Sequence, residues 1–165
     1  MITLRHARFP LDRDEVVAIF REYVASPIAN LDFQDYEREF AGLPGKYAEP
    51  DGRLVLACSA AAVVGCAALR RVDESCCELK RVYVRPAARG HNIGRRLVEH
   101  MIHEAGRAGY ARICLDVLPE FVAARRLYES LGFTSAEPVS YNPVPGTKFL
   151  ALGLPPFAPH PPSGA

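Results

Sequence analysis

From Ile93 onward the apolar residues Ile93, Leu97, Val98, Met101, Ile102 and Ala105 recur three and four apart, the spacing of one helix face. Just upstream, Val82, Tyr83 and Val84 are strand formers and Pro86 ends their run. The stretch around 78–105 therefore reads as strand, tight loop and long helix. Residues 2–7 give a first strand. Asp12 then stands at a helix start as N-cap, with Glu15 three residues on, and Val16, Phe20, Tyr23 and Val24 share one face until Ser26-Pro27 stops the helix. A second, short helix begins after Asp32, with Phe33, Tyr36 and Phe40 on one side and Gly42-Leu43-Pro44-Gly45 at its end.

Residues 53–58 and 63–69 read as strands joined by a small-residue turn, and a loop containing Asp73-Glu74-Ser75 leads into the strand that carries Glu78. Three strands in succession predict an antiparallel meander. The long helix and the two glycines after it, Gly106 and Gly109, connect that third strand of the meander to another at 112–117. A strand, a crossing helix and a second strand make a βαβ unit, so these two strands should run parallel. A helix over 123–133 is predicted to close on Gly132, and a turn-rich stretch at 141–147 precedes a last strand at 148–154. Residues 1–154 read as one domain, and the proline-rich 155–165 as a disordered tail.

Charge changes the picture in one place. The chain has 20 basic and 19 acidic residues, a formal charge of +1, which gives no support for bulk binding to nucleic acid or to a membrane. Yet 79–98 holds Lys80, Arg81, Arg85, Arg89, Arg95 and Arg96 and no acidic residue. A helix N-terminus with unpaired amides, flanked by Gly90 and Gly94, reads as a phosphate cradle. It is not a P-loop, because Gly94 is followed by Arg95-Arg96 where Lys and a hydroxyl residue are needed. It fits the dinucleotide fingerprint poorly, because its glycines are spaced G-x-x-x-G and its strand carries Glu78, Lys80 and Arg81.

The five cysteines, odd in number and without C-x-x-C spacing, read as small buried thiols. His100 and His103 sit off the apolar stripe, so they read as part of a solvated helix face and no metal site is expected. Without an apolar leader, the protein is expected to be cytoplasmic.

The segment Arg89-Gly90-His91-Asn92-Ile93-Gly94 resembles motif A, [RQ]-x-x-G-x-[GA], of the GNAT superfamily of acyl-CoA-dependent N-acyltransferases, with Asn92 where the family usually has Gly. Ala124, Leu127, Tyr128, Gly132 and Phe133 match a second family signature, A-x-x-L-Y-x-x-x-G-F, with Phe121 in the place of a customary Asn. The resemblance implies an α/β fold, a mixed sheet of about seven strands with helices on both faces. It implies transfer of an acetyl group from acetyl-CoA to a primary amine of a small molecule or peptide. The backbone of Val82, Tyr83 and Val84 would pair with the pantetheine arm. The diphosphate would meet the loop and helix start formed by Arg89, Gly90, His91, Asn92, Ile93, Gly94 and Arg95, where His91 could add a contact or point to solvent.

The first two helices would line the acceptor side. There the aromatic set Phe33, Tyr36, Phe40 and Tyr47 could meet substrate, core packing being the plainer reading. The blocks at 43–47 and 141–146 resemble a bacterial GNAT subgroup of no known substrate.

Amine acylation needs a neutral nucleophile, and an amine of pKa about 10.4 is neutral in only about one molecule per thousand near pH 7. Glu78 is the leading candidate for the base, with a solvated or salt-bridged carboxylate beside Lys80 as the alternative reading and Asp116 as the second candidate. Tyr128 stands where the family keeps the residue that meets the leaving thiolate, with packing on Phe133 as its alternative. Two other classes stay open: a non-catalytic acyl-CoA-binding or sensing module, and a nucleic-acid binder, which would need basic charge beyond 80–96. The acceptor and the oligomeric state, monomer or homodimer, are not read from the residues.

Overall fold

A computed structural model describes residues 1–26 and 35–156. Its strands are β1 (Ile2–His6), β2 (Arg53–Ser59), β3 (Ala62–Arg71), β4 (Cys76–Val84), β5 (Arg112–Val117), β6 (Thr134–Ser135) and β7 (Lys148–Gly153). They form one seven-stranded sheet in the order β1-β2-β3-β4-β5-β7-β6. The β1 to β4 meander is antiparallel throughout, β4 and β5 are parallel, and β7 inserts antiparallel between β5 and β6. The mixed sheet expected from the sequence is thus present. None of the described helices is long and apolar enough to cross a membrane.

Four α-helices pack on the sheet: α1 (Arg13–Val24), α2 (Tyr36–Ala41), α3 (Ile93–Arg107) and α4 (Val122–Ser130). Period-two alternation along the strands sorts side chains between two cores. Val55, Ala57, Ala67 and Leu69 join Leu97, Val98 and Met101 of α3 and Tyr128 of α4 on one face. Leu54, Leu56, Cys66 and Ala68 join Val16, Ile19 and Phe20 of α1 and Phe40 of α2 on the other. Both faces are covered, which is why β2 and β3 read as nearly continuous apolar runs.

Several local expectations change. Asp12 stands at the N-cap position of α1, but its side chain makes no capping bond. It turns back toward β1, where Arg5 donates to its two oxygens at 2.7 and 2.9 Å and the Arg8 N–H donates at 2.6 Å. A bidentate guanidinium is a stronger partner than a helix amide. Helix α2 is capped by Asp35, which accepts from the Arg38 N–H. The anticipated start at Asp32, with Phe33, lies outside the described residues, as do Pro27 and 157–165. Strand β4 begins two residues before Glu78, at Cys76, and β6 is too short to leave a periodic signal. The helix end at Gly132 is as expected, with φ +100 at that residue, and all five cysteines are free and buried.

Candidate active site

Strands β4 and β5 pair at only three positions, Cys76 with Arg112, Cys77 with Ile113 and Glu78 with Cys114. Beyond Glu78 the strands part. The edge of β4 that faced β5 loses its ladder over 79–84, while its other edge stays bonded to β3 as far as Val84. A cavity of about 380 Å³ opens in the gap, lined by 79–84, Arg89, Asp116, Phe121 and Tyr128 among others. Unpaired strand amides and carbonyls beside an elongated cavity can take an extended polar chain as an added strand. That is the demand a pantetheine arm makes.

The register of β4 on β3 slips by one residue between Cys66 and Ala68, and Arg81 at the slip has φ +59. This is a β-bulge, and it sends two consecutive side chains, Lys80 and Arg81, to the α2 side of the sheet. Arg81 is buried and its guanidinium grips Glu39 of α2 through Nε at 2.9 Å and a terminal nitrogen at 3.0 Å. The Tyr47 hydroxyl donates to the same carboxylate at 2.9 Å, and Lys46 lies 3.1 Å from it. Burial alone would raise the Glu39 pKa, but the bonds and charges from Arg81 and Lys46 outweigh it and the pKa is lowered.

After β4, a short 3-10 turn (Pro86–Ala88) leads through Gly90, with φ +89, to Asn92, with φ +58. Asn is the residue best able after Gly to adopt that left-handed geometry, which is how the chain keeps the turn without the customary glycine. The first backbone bond of α3 runs from the Arg96 N–H to the Asn92 carbonyl, and the Asn92 side chain caps nothing. The amides of 92–95 therefore have no helical partner, and the positive end of the helix dipole is open to an anion. At Gly94, an added Cβ would touch only Val84 Cγ2, at 3.9 Å, so the protein itself does not require a glycine there. Of the basic side chains, Arg89 donates to the Val84 carbonyl and lies over Tyr83, whereas Arg95 bonds Glu99 and His91 is exposed.

Tyr128 reaches the cavity wall from α4, its ring held against Phe133 with centroids 5.7 Å apart. Among the described residues its hydroxyl has no hydrogen-bond partner. Burial, seconded by Tyr23 and Asp116, pushes its pKa well above that of an ordinary tyrosine, so it stays protonated. Asp116 also lines the cavity and accepts from the Asn142 side chain at 2.9 Å. Glu78 is placed differently. It is 1% exposed and lines neither this cavity nor the one described next. Arg70 Nε donates to one of its oxygens at 2.6 Å and the Ser140 hydroxyl to the other at 2.8 Å, with Lys80 at 3.8 Å. Burial would raise its pKa, but Lys80, Arg70 and Ser140 more than offset that and hold it below the usual range.

Ser140 and Lys80 connect Glu78 to a second cavity of about 430 Å³ between α2 and the 140–141 loop, also walled by Arg38, Glu39, Lys46 and Arg81. Lys80 lines both cavities. Of the aromatic set, Phe40 and Tyr47 are buried core and Tyr36 packs on Phe40. Ser140 and Asn142 carry no functional signal in the sequence, and Tyr23 reads there only as part of the apolar face of α1. Each comes from an element whose approach to β4 or β5 is set by tertiary packing. The apolar Phe121, standing where the family keeps Asn, lies on the wall of the first cavity.

Comparison with known proteins agrees with this geometry. The sequence profile of the Acetyltransferase (GNAT) family matches residues 16–133. An uncharacterized N-acetyltransferase of Schizosaccharomyces pombe is 34% identical over 155 residues, covering 93% of this chain and 95% of its own. An IAA acetyltransferase of Azospirillum brasilense is 37% identical over 109 residues, covering 65% of this chain and 71% of its own. Among solved structures, a GNAT-family acetyltransferase of Staphylococcus aureus superposes with TM-score 0.80 at 19% identity, covering 94% of this chain and all of that one. The acetyltransferase yncA of Salmonella typhimurium, solved with its cofactor acetyl-CoA, superposes with TM-score 0.76 at 24% identity over 96% and 97% of the two chains. Since the profile spans well over half of the sequence and a relative aligns nearly end to end, the chain belongs to the GNAT family and is an N-acetyltransferase.

Proposed function

We propose that this protein transfers the acetyl group of acetyl-CoA to the primary amine of a small molecule or peptide, with the acyl chain entering between β4 and β5. The observation that carries the reading is the parting of β4 from β5 after Glu78, which leaves an unpaired strand edge beside a cavity that also receives the free Tyr128 hydroxyl. The backbone of Val82, Tyr83 and Val84 pairs with the pantetheine arm. The amides from Gly90 to Arg95 take the diphosphate, with Arg89 at the mouth.

The acceptor enters from the second cavity. On its described wall, the cations Arg38, Lys46, Lys80 and Arg81 face the carboxylates Asp35 and Glu39. Amines that carry an acid group, such as amino acids, suit this wall better than polyamines. The amine nitrogen attacks the thioester carbonyl; a C–N bond forms, the C–S bond breaks, and one proton leaves the nitrogen. Glu78 receives that proton through the Ser140 hydroxyl, which bridges the buried carboxylate to the acceptor cavity. Asp116 is the second reading for the base, favoured by its direct place on the first cavity. Tyr128 donates its hydroxyl to the sulfur as negative charge develops there.

The test is acetyl-CoA consumption across amino acids, polyamines, aminoglycosides and peptide N-termini, followed by rate against pH for Glu78→Gln and Asp116→Asn. Glu78→Gln should lose about 10²–10⁴-fold at low pH and recover partly as pH approaches the pKa of the amine. If Glu78→Gln matches the parent at every pH and Asp116→Asn does not, the base is Asp116. No turnover with any amine would overturn the reading.

A further inference from the structure

The histidine on β1 and one of those on α3, far apart in sequence, meet on the side of α3 that faces the sheet edge. His6 Nε2 lies 3.3 Å from Glu104 Oε1, and His100 Nε2 lies 3.6 Å from the same oxygen. The three donor atoms all fall within 4.8 Å of one another. A zinc ion bound at about 2.0–2.2 Å by nitrogen and oxygen sets its ligands roughly 3.3 Å apart, so a small contraction would close the set. From this we infer that His6, His100 and Glu104 form a binding site for a divalent transition-metal ion, zinc foremost. It would leave a fourth position to water and fasten β1 to α3.

Two further observations support it. The His100 Nε2 atom is buried and has no hydrogen-bond partner among the described residues, an unsatisfied donor or acceptor that a metal would satisfy. The outer groups are arranged as metal ligands require. His6 turns its other nitrogen, Nδ1, toward Glu49 at 3.5 Å, and Arg53 Nε holds the second oxygen of Glu104 at 2.9 Å, leaving Oε1 to the imidazoles. The opposing group is Arg107, whose guanidinium lies 3.6 Å from Glu104 Oε1. Its side chain is 56% exposed and can swing into solvent, so it is the group an incoming cation displaces.

This site takes no part in acyl transfer. Glu104 follows Ile93 by eleven residues on one helix, roughly 16 Å along its axis from the diphosphate cradle. The expectation from sequence of a fully solvated helix face thus holds for the exposed His103 but not for His100, which is partly buried against β1.

The experiment uses the untagged protein, stripped with a chelator. Zinc titration by calorimetry should give one ion per chain with a raised thermal midpoint that chelator reverses, and cobalt(II) should show the intense visible bands of a four-coordinate site. His6→Gln and His100→Gln, both at partly exposed positions, should fold and lose zinc affinity by more than about 100-fold, while Glu49→Gln should lose about 10–100-fold. Absence of zinc uptake by the parent overturns the inference, as does uptake that survives in both histidine variants. A cobalt spectrum of weak octahedral type overturns the ligand set.

Discussion

Replacing Tyr128 with Phe isolates one oxygen atom. The ring stays packed on Phe133, and the hydroxyl has no partner to forfeit among the described residues, so Tyr128→Phe should change stability by less than about 1 kcal/mol. The catalytic cost follows from the raised pKa. A phenol well above its ordinary value of about 10 cannot hand its proton downhill to a thiolate of pKa near 8.5, so its contribution is a hydrogen bond to developing charge. Losing one preorganised donor of that kind costs about 10²–10³ in kcat, or about 2.7–4 kcal/mol. Because the group stays protonated over the working range, the loss should be the same at every pH from 6 to 9. The assay is steady-state release of CoA against pH, with calorimetric CoA affinity and thermal midpoint as controls. A kcat within about twofold of the parent, in a folded variant that binds CoA, would refute the role. A loss that grows with pH would mean that the hydroxyl titrates and is not held as described.

Three further outcomes are expected. Gly94→Asp places a carboxylate in the first turn of α3, where the dipole favours it and the fold has room, so the protein should stay folded yet lose CoA affinity by at least about tenfold on calorimetry; unchanged affinity would remove the cradle. Glu39→Gln removes the charge of the carboxylate that Arg81 grips and should cost about 1.5–3 kcal/mol in urea unfolding, a cost under about 0.5 kcal/mol meaning that the pair is not closed. Asp12, held to a pKa of about 2 from 3.8 chiefly by the Arg5 bond, against the effect of burial, contributes stability that is fully present above the unfolded value and is lost as pH falls from about 4 through about 2. The stability gap between the parent and Asp12→Asn should therefore be constant above pH 5 and shrink by pH 3, and an undiminished gap at pH 3 would contradict the assignment.

The elements that could be read in the sequence were those whose pattern is local. Helix α3 announces itself through Ile93, Leu97, Val98 and Met101, all buried, and the turn before it through Gly90 and an Asn able to take φ +58. What could not be read depends on distant partners. Glu78 reads in the sequence as a candidate base or as a solvated or salt-bridged carboxylate beside Lys80, because nothing local shows that Arg70 from β3 and Ser140 from a later loop close over it. Asp12 looked like a cap, because helix signals do not reveal a competing guanidinium seven residues upstream. Nothing in the sequence relates His6 to His100, because only the placement of β1 beside β2 brings them together.

The bulge in β4 shows why the α2 side of the sheet carries the charge it does. A left-handed residue at the slip is easiest for glycine, and an L residue there costs roughly 1–2 kcal/mol. The chain nevertheless has Arg81 at that position, with φ +59. Had the strand stayed regular, its alternation would have turned Arg81 toward the α3 core, where Leu79 and Val82 point, and a buried guanidinium would have met only apolar side chains. With the slip, Arg81 follows Lys80 onto the α2 side and meets Glu39, while Val82 returns to the α3 core in register. The local strain is thus compensated by the buried ion pair, and the ion pair ties α2 to the strand that turns away from β5. One irregularity therefore sets two cations on the wall of the second cavity and fixes the helix that faces them, just beyond the point where β4 parts from β5, so that the two cavities share Lys80-Arg81 as a common wall.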